Sequence, residues 1–343
     1  MKPFPQNKAD KILFIRLRLL GDIIFTIPSI RIFKQRFPNT DIYYVVEEQF
    51  REIAVLIPGI HQLIVIPRKM GIKKMWQFRK EIRKTGFDTV IDFHSGPKSA
   101  QLTWLTGAKL RIGYKTPNRN FAYNRLTPRT FGNTYTHSVY NQAKLLEHLE
   151  IPVDINNLPG YPEITVDETQ IRDVVKEVLD KKNKKRVVIH VGAGNAFRDW
   201  GQEKFVSLIR ELKKKEIEVF LVGSGEKEKQ RSTYLAEHFQ VEDFTGRLSI
   251  AELFYLVAKS DVYMGTDSGP LHVASLTTTP LVALYGPNLP EISGPWRKKN
   301  ITIIHKPMHC QPCDQRKCIY GIIPCIKNIS MDEVYEAIIG YIK

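Results

Sequence analysis

The sequence predicts an α/β protein of two successive doubly wound domains, and three observations carry that prediction. Short apolar runs of strand length alternate with helical segments along the chain, the rhythm of a mostly parallel sheet covered by helices on both faces. The rhythm breaks once, in residues 151–166, where Pro152, Pro159 and Pro162 mark a linker, and then begins again. At 343 residues the chain is long for one core and comfortable for two. Domains of 1–160 and 161–328 follow, with residues 329–343 as a closing helix.

Taken in order, the first strand is residues 11–17 (KILFIRL). Leu19, Leu20, Gly21 and Asp22 then turn into an apolar helix reaching residue 37, kinked or restarted at Pro28. Strand-like runs recur at 42–46, 63–66 and 89–93, with a shorter one at 111–114, and residues 140–149 close the domain as a helix. In the second half, a helix near 167–181 precedes a strand at 186–191 and a helix at 202–215. A strand at 218–222 and helices at 230–239 and 249–258 come next. Residues 261–264 end a buried strand that turns sharply through Gly265, Thr266, Asp267, Ser268 and Gly269. Pro270 stands in the first turn of the following helix, where its missing N–H is no loss. A strand at 280–284 and an amphipathic helix at 331–342 complete the pattern.

The chain carries 51 basic against 36 acidic residues, a formal charge of +15. That excess points to a polyanionic partner: nucleic acid, an anionic membrane face or a phosphorylated substrate. The amino terminus is polar, and Arg16 and Arg18 interrupt the next apolar run, which argues against a signal peptide. No apolar run is long enough to predict a membrane-spanning helix, so a cytoplasmic protein is expected. Residues 68–84 hold eight basic residues against Glu81 alone, with Ile72, Met75, Trp76, Phe78 and Ile82 as an apolar stripe. Such a helix either packs its stripe on its own domain or meets an anionic lipid surface or a phosphorylated acceptor. Phe121, Tyr123 and Phe131 interleave a basic loop at 117–132, so charge alone leaves nucleic-acid binding open.

Gly21-Asp22 sits just beyond the first strand, where open α/β sheets bind ligands. One glycine is not the Gly-x-Gly-x-x-Gly of a dinucleotide site. An aspartate there could act as general base on a substrate hydroxyl or simply cap the helix. Gly192 and Gly194 follow the first strand of the second domain and precede Arg198, which can fork onto diphosphate oxygens. There is no Gly-Lys-Ser/Thr, which excludes a P-loop. Gly223 and Glu226 repeat the strand-then-glycine pattern, with Glu226 a candidate ribose ligand. A third such turn brings Thr266, Asp267, Ser268, Gly269 and His272, and three glycine turns in one domain suit a nucleotide diphosphate. Cys310, Cys313, Cys318 and Cys325 could hold a structural zinc or form a reduced or disulfide-linked loop. His94, His190 and His305 read as structural.

Side by side, these elements resemble glycosyltransferase family 9, the heptosyltransferases of lipopolysaccharide core assembly. The resemblance is carried by LLGDIIFTIPSI (19–30), VIDFHSGPKSA (90–100), RIGY (111–114), HVGAGNAFRDW (190–200), GTDSGPLHVA (265–274) and LYGP (284–287), together with the cysteine-bearing tail. It implies a GT-B fold: two Rossmann-like domains facing across a cleft, the first binding acceptor and the second the nucleotide-sugar, with the final helix returning to the first domain. Asp22 matches the proposed catalytic base. Gly192, Gly194, Arg198, Gly223, Glu226, Thr266, Asp267, Ser268, Gly269 and His272 fall in the donor region. Arg198 stands where relatives often carry lysine. Arg18, Lys98, Arg111 and Arg119 correspond loosely to the acceptor region.

The implied reaction is an inverting transfer of heptose from ADP-heptose to a sugar hydroxyl of the lipopolysaccharide inner core, with no metal or other cofactor required. The implied setting is the cytoplasmic face of the inner membrane, with its anionic surface as a partner and no nucleic acid. Two alternatives stay open on the residues alone. One is a transferase of the same family using another nucleotide-sugar; the other is a basic protein that binds nucleic acid or lipopolysaccharide without turnover.

Overall fold

The computed structural model describes residues 11–129, 136–180, 184–192, 194–296 and 299–342; Phe131 lies outside them. The chain divides into two units, Met1–Tyr161 and Pro162–Lys343. In the first, strands β1 (Lys11–Ile15), β2 (Asp41–Glu47), β3 (Gln62–Ile66), β4 (Thr89–Asp92), β5 (Leu110–Tyr114) and β6 (Arg125–Thr127) form one parallel sheet. Its order is β3-β2-β1-β4-β5-β6. Helices α1 (Leu20–Ile24), α2 (Ile27–Arg36), α3 (Arg51–Val55), α4 (Ile72–Thr85), α5 (Pro97–Thr106) and α6 (Ser138–Ala143) connect and follow the strands.

The second unit repeats the plan with β7 (Arg186–His190), β8 (Glu218–Val222), β9 (Glu242–Asp243), β10 (Val262–Thr266), β11 (Leu281–Tyr285) and β12 (Ile301–His305). Their order, β12-β11-β10-β7-β8-β9, is the first sheet's order over again. Its helices are α7 (Asp173–Glu177), α8 (Gln202–Lys214), α9 (Glu226–Phe239), α10 (Ile250–Ala258), α11 (Gly269–Ala274), α12 (Pro290–Ser293), α13 (Pro324–Lys327) and α14 (Met331–Ile342).

The central strands are mostly apolar because both faces are covered. Every residue of β4, β10 and β11 is buried. In each unit the connections reverse direction at the sheet centre, between β1 and β4 and between β7 and β10. Loops leaving the carboxyl ends of those pairs diverge, and the crevice they open is where such sheets bind ligands. The topology therefore names two places to look.

Of the two outcomes expected at Pro28, a kink or a restart, the second is observed: α1 and α2 are separate helices, with Pro28 at the second position of α2. Several elements depart from the sequence reading. The helix expected near 167–181 is reduced to the five residues of α7 after a 3₁₀ turn. Strands β6, β9 and β12 were not foreseen; two are of two or three residues, and β12 is a half-buried edge without a continuous apolar run. The final helix, α14, was expected to return to the first domain. Instead Val334 and Ile338 are buried in the second unit's core beside Leu208, Met264 and Leu284.

Candidate active site

At the centre of the first sheet, β1 delivers Arg16 and, one turn into α1, Asp22, while β4 delivers the loop His94–Gly96. The Asp22 carboxylate is one-third exposed and ion-paired through Oδ2 with the buried Arg16 guanidinium. The Leu19 N–H donates to the same oxygen at 3.3 Å. Gln142 Nε2 donates to the Asp22 carbonyl at 3.0 Å, tying the start of α1 to α6. Arg16, Arg18, Arg119 and Arg129 line a cavity of about 530 Å³ with Asp22 as its sole acid and His94 beside them.

The opposite wall of that cavity is built on Asp92. This fully buried carboxylate accepts the N–H groups of His94 at 2.9 Å and Ser95 at 2.8 Å, and the Tyr123 hydroxyl at 2.7 Å. Burial raises its pKa, and the bonds from Ser95 and Tyr123 offset only part of that. Arg119 Nη1 donates to the Ser95 carbonyl at 3.0 Å and Arg129 Nη2 to that of His94 at 2.9 Å, so the arginines are held in place by the loop they flank. Burial, and then the charge on Arg16, push the His94 imidazole down to about 4, so it meets ligands neutral at physiological pH.

The other basic residues expected in an acceptor region stand elsewhere. Lys98 pairs with Glu47 at 3.1 Å and donates to the Pro67 carbonyl at 2.6 Å, fastening α5 to β2 and the end of β3. Arg111 Nε donates to the Ala122 carbonyl at 2.9 Å, bracing β5 against the following loop. Neither lines the Asp22 cavity. Tyr123, one of the aromatics that left nucleic acid open, is buried on Asp92 and has no face to offer a base.

At the centre of the second sheet, β7 runs into Gly192 and β10 into the Asp267–Ser268 turn that starts α11. Thr266 Oγ1 donates to the Gly192 carbonyl at 3.0 Å and locks the two loops together. Arg198 Nη1 donates to the Asp267 carbonyl at 2.9 Å and lies 3.2 Å from its carboxylate. Asn288 Nδ2 donates to Asp267 Oδ2 at 2.5 Å. Gln315 closes the ring: its Oε1 accepts from Arg198 Nε at 3.0 Å and Asn195 Nδ2 at 2.8 Å, while its Nε2 donates to Asn288 at 2.8 Å. His272 Nε2 lies 4.0 Å from Asp267 Oδ1.

Beneath the glycines, the carboxylate that matters is Glu228. Glu226 is exposed at the first position of α9. Glu228 turns inward and accepts the Ser224 N–H at 2.7 Å and the Gly225 N–H at 3.3 Å, with His190 Nε2 at 3.5 Å. Burial opposes its ionisation, but those bonds and the His190 charge prevail and hold the carboxyl down to about 2. His190 Nδ1 in turn meets Ser268 Oγ at 3.3 Å. Glu228, His190 and Ser268 thus form one chain of contacts under the ligand loops.

Of the residues expected in the donor region, Gly192, Arg198, Thr266, Asp267, Ser268 and His272 gather here, and Gly223 packs on Glu228. Gly194 is exposed on the loop approaching Arg198. Gln315 and Asn288 were not foreseen, and no local pattern marks them. Glu228 had a weak signal, since a Glu at the third position of a helix can reach back to the N-cap N–H, here that of Gly225.

Cys310, Cys313, Cys318 and Cys325 are free thiols around one enclosed cavity of about 30 Å³. Burial, reinforced by the other three sulfurs, pushes the Cys325 thiol up to about 11. Among the described residues no group of three or more His, Cys, Asp or Glu is arranged to hold a metal ion.

Two Rossmann-like units, each reversing its strand order at the sheet centre, are the architecture of two-domain glycosyltransferases. Residues 75–323 match the model of glycosyltransferase family 9 (heptosyltransferase), and the chain belongs to that family. Lipopolysaccharide heptosyltransferase 1 of Pseudomonas aeruginosa is 24% identical over 90% of this chain and 88% of its own length. Two solved structures, each 20% identical over 96% of this chain, share the fold. They are a glycosyltransferase family 9 protein of Veillonella parvula, with a TM-score of 0.82 over 96% of its length, and the ADP-heptose lipopolysaccharide heptosyltransferase II of Escherichia coli, with 0.80 over 98%.

Proposed function

We propose that this glycosyltransferase moves heptose from ADP-heptose, with inversion, to a hydroxyl of an anionic sugar in the lipopolysaccharide inner core, at the cytoplasmic face of the inner membrane. The observation that carries the reading is the cavity of four arginines around a single carboxylate. An acidic or phosphorylated sugar is attracted to the arginines, and Asp22 is the group there that can take a proton from its hydroxyl. Both contacts to the carboxylate fall on Oδ2, which leaves Oδ1 for that task. The activated oxygen attacks the anomeric carbon from the side opposite the diphosphate, and inversion follows from that single displacement.

The second unit serves the leaving group. Negative charge builds on the diphosphate as the glycosidic bond breaks, and Arg198 supplies positive charge where it builds. Gly192 and Gly194 let the diphosphate approach the backbone, and Asp267, Ser268 and His272 offer acceptors and donors to the sugar hydroxyls. No divalent ion is called on in this scheme. The names of the relatives supply heptose, ADP and lipopolysaccharide; the residues supply an anionic acceptor and a nucleotide-diphosphate donor.

Titration of the purified protein with ADP-heptose, GDP-sugars and UDP-sugars tests the donor, and tight binding of another nucleotide-sugar in place of ADP-heptose would sink that part. Asp22→Ala is expected to lower kcat by about 10²–10⁴-fold with donor affinity unchanged. Near-normal turnover of that variant would remove Asp22 from the chemistry.

A further inference from the structure

The basic stretch at 68–84 admits two readings in sequence, and the structure divides its apolar stripe. Phe78 and Ile82 of α4 are buried in the first unit's core with Leu102 of α5. Ile72 is 82% exposed, Trp76 62% and, on the neighbouring α5, Trp104 55%. These three side chains, with Met70, Met75 and Leu105, border an open apolar groove of about 620 Å³. Packing within the unit therefore accounts for Phe78 and Ile82, with Met75 partly buried against them, and leaves Ile72 and Trp76 of the stripe exposed beside Trp104.

The charge around the groove has one sign. Lys69, Lys73, Lys74, Lys80, Arg83 and Lys84 are exposed on and beside α4, with Glu81 the one acid of the stretch. Arg79 lies over the Trp76 ring at 4.8 Å, and Arg83 Nε is anchored to the Leu105 carbonyl at 3.0 Å, so cations flank the apolar strip itself. Among the described residues no helix is long and apolar enough to cross a membrane.

We propose that the α4–α5 face is a membrane-docking surface that sits on an anionic bilayer, with Ile72, Trp76 and Trp104 entering the headgroup region and the lysines and arginines meeting lipid phosphates. Tryptophan settles at that depth because its ring is apolar at one end and polar at the other. A dense layer of phosphates also matches a broad field of cations better than the few acids of a typical protein partner. The inference rests on the proposed function for its purpose, since a lipid-linked acceptor is met at such a surface. Its test does not use the reaction.

The test is co-sedimentation of the full chain with vesicles of phosphatidylcholine alone or with one-third phosphatidylglycerol, alongside tryptophan quenching by bromine-labelled acyl chains. Binding to the anionic vesicles with quenching is expected, and equal binding to the neutral ones would overturn the proposal. Trp76→Ser/Trp104→Ser should lower partitioning by about tenfold or more. Lys73→Gln/Lys74→Gln/Lys80→Gln should lower it by about a hundredfold. Unchanged partitioning of either variant would overturn the proposal, and so would a shift from dimer to monomer on removing the tryptophans, which would make the groove a contact between copies. Far-ultraviolet circular dichroism and urea unfolding of the same variants check that the first unit is folded. Vesicle binding without transfer would count against the proposed function alone, and transfer to a soluble acceptor without vesicle binding against this inference alone.

Discussion

At the residue scale, Glu228 shows how the glycine turns of a candidate site can depend on a carboxylate beneath them. Its carboxylate lies under the glycine loops and takes the N–H groups of Ser224 and Gly225, with His190 between it and Ser268. Because the carboxyl is held at about 2 in the folded chain, against an ordinary 4.5, the unfolded chain binds more protons in that interval. The stability it contributes is present above pH 4.5 and is lost as pH falls through about 2. Glu228→Gln removes the charge and leaves a neutral carbonyl oxygen to accept the two N–H groups that the carboxylate now takes. It is expected to lower stability at pH 7 by about 1–3 kcal/mol. The pH dependence between 4.5 and 2 should flatten in the same variant. Urea unfolding of both proteins across that range measures the effect, and parallel curves would show that the carboxylate is not a stabilising charge.

Among the elements, the strand-to-helix turns bring the candidate site residues together, and they differ in how far the sequence discloses them. The central strands are plain because burial on both faces makes them apolar runs, and the turns after them are plain because Gly192, Gly223 and Ser268–Gly269 break those runs abruptly. What such a turn packs against is not plain. A Cβ on Gly192 would overlap Cγ of Glu228, a side chain distant in sequence, and one on Gly223 would stand 2.6 Å from Oε2 of the same residue, so Glu228 crowds both glycines. Gln315 and Asn288 reach Arg198 and Asp267 in the same way, from loops with no motif of their own. Lys98 and Arg111 mislead for the converse reason, since their charge is visible in the sequence and the carbonyls that engage it are not. Gly192→Ala should therefore cost about 1–3 kcal/mol by overpacking and should weaken donor binding, because Glu228 must move to admit the methyl. Calorimetric titration with ADP tests the second effect, and an unchanged affinity would show that the turn tolerates the shift.

For the whole molecule, the repeated strand order means that each unit has its own core and its own crevice, and stability and ligand binding can be assigned to each separately. The tryptophans allow this to be measured. Trp76 and Trp104 are exposed reporters on the first unit, whereas Trp200 is fully buried in the core of the second, with Nε1 donating to the Ile329 carbonyl at 2.9 Å. If the nucleotide belongs to the second unit, ADP stabilises the transition that Trp200 reports and leaves that of the first unit where it was. At a hundred times Kd the gain is about 2.7 kcal/mol. Urea unfolding of the Trp76→Phe/Trp104→Phe variant, in which the remaining signal comes from Trp200 and Trp296 of the second unit, should then shift with ADP. A Trp200→Phe/Trp296→Phe variant, read through Trp76 and Trp104, should not. The opposite pattern would place the nucleotide in the first unit and remove the donor role of Arg198 and Asp267. Equal shifts in both would show that the two cores unfold as one.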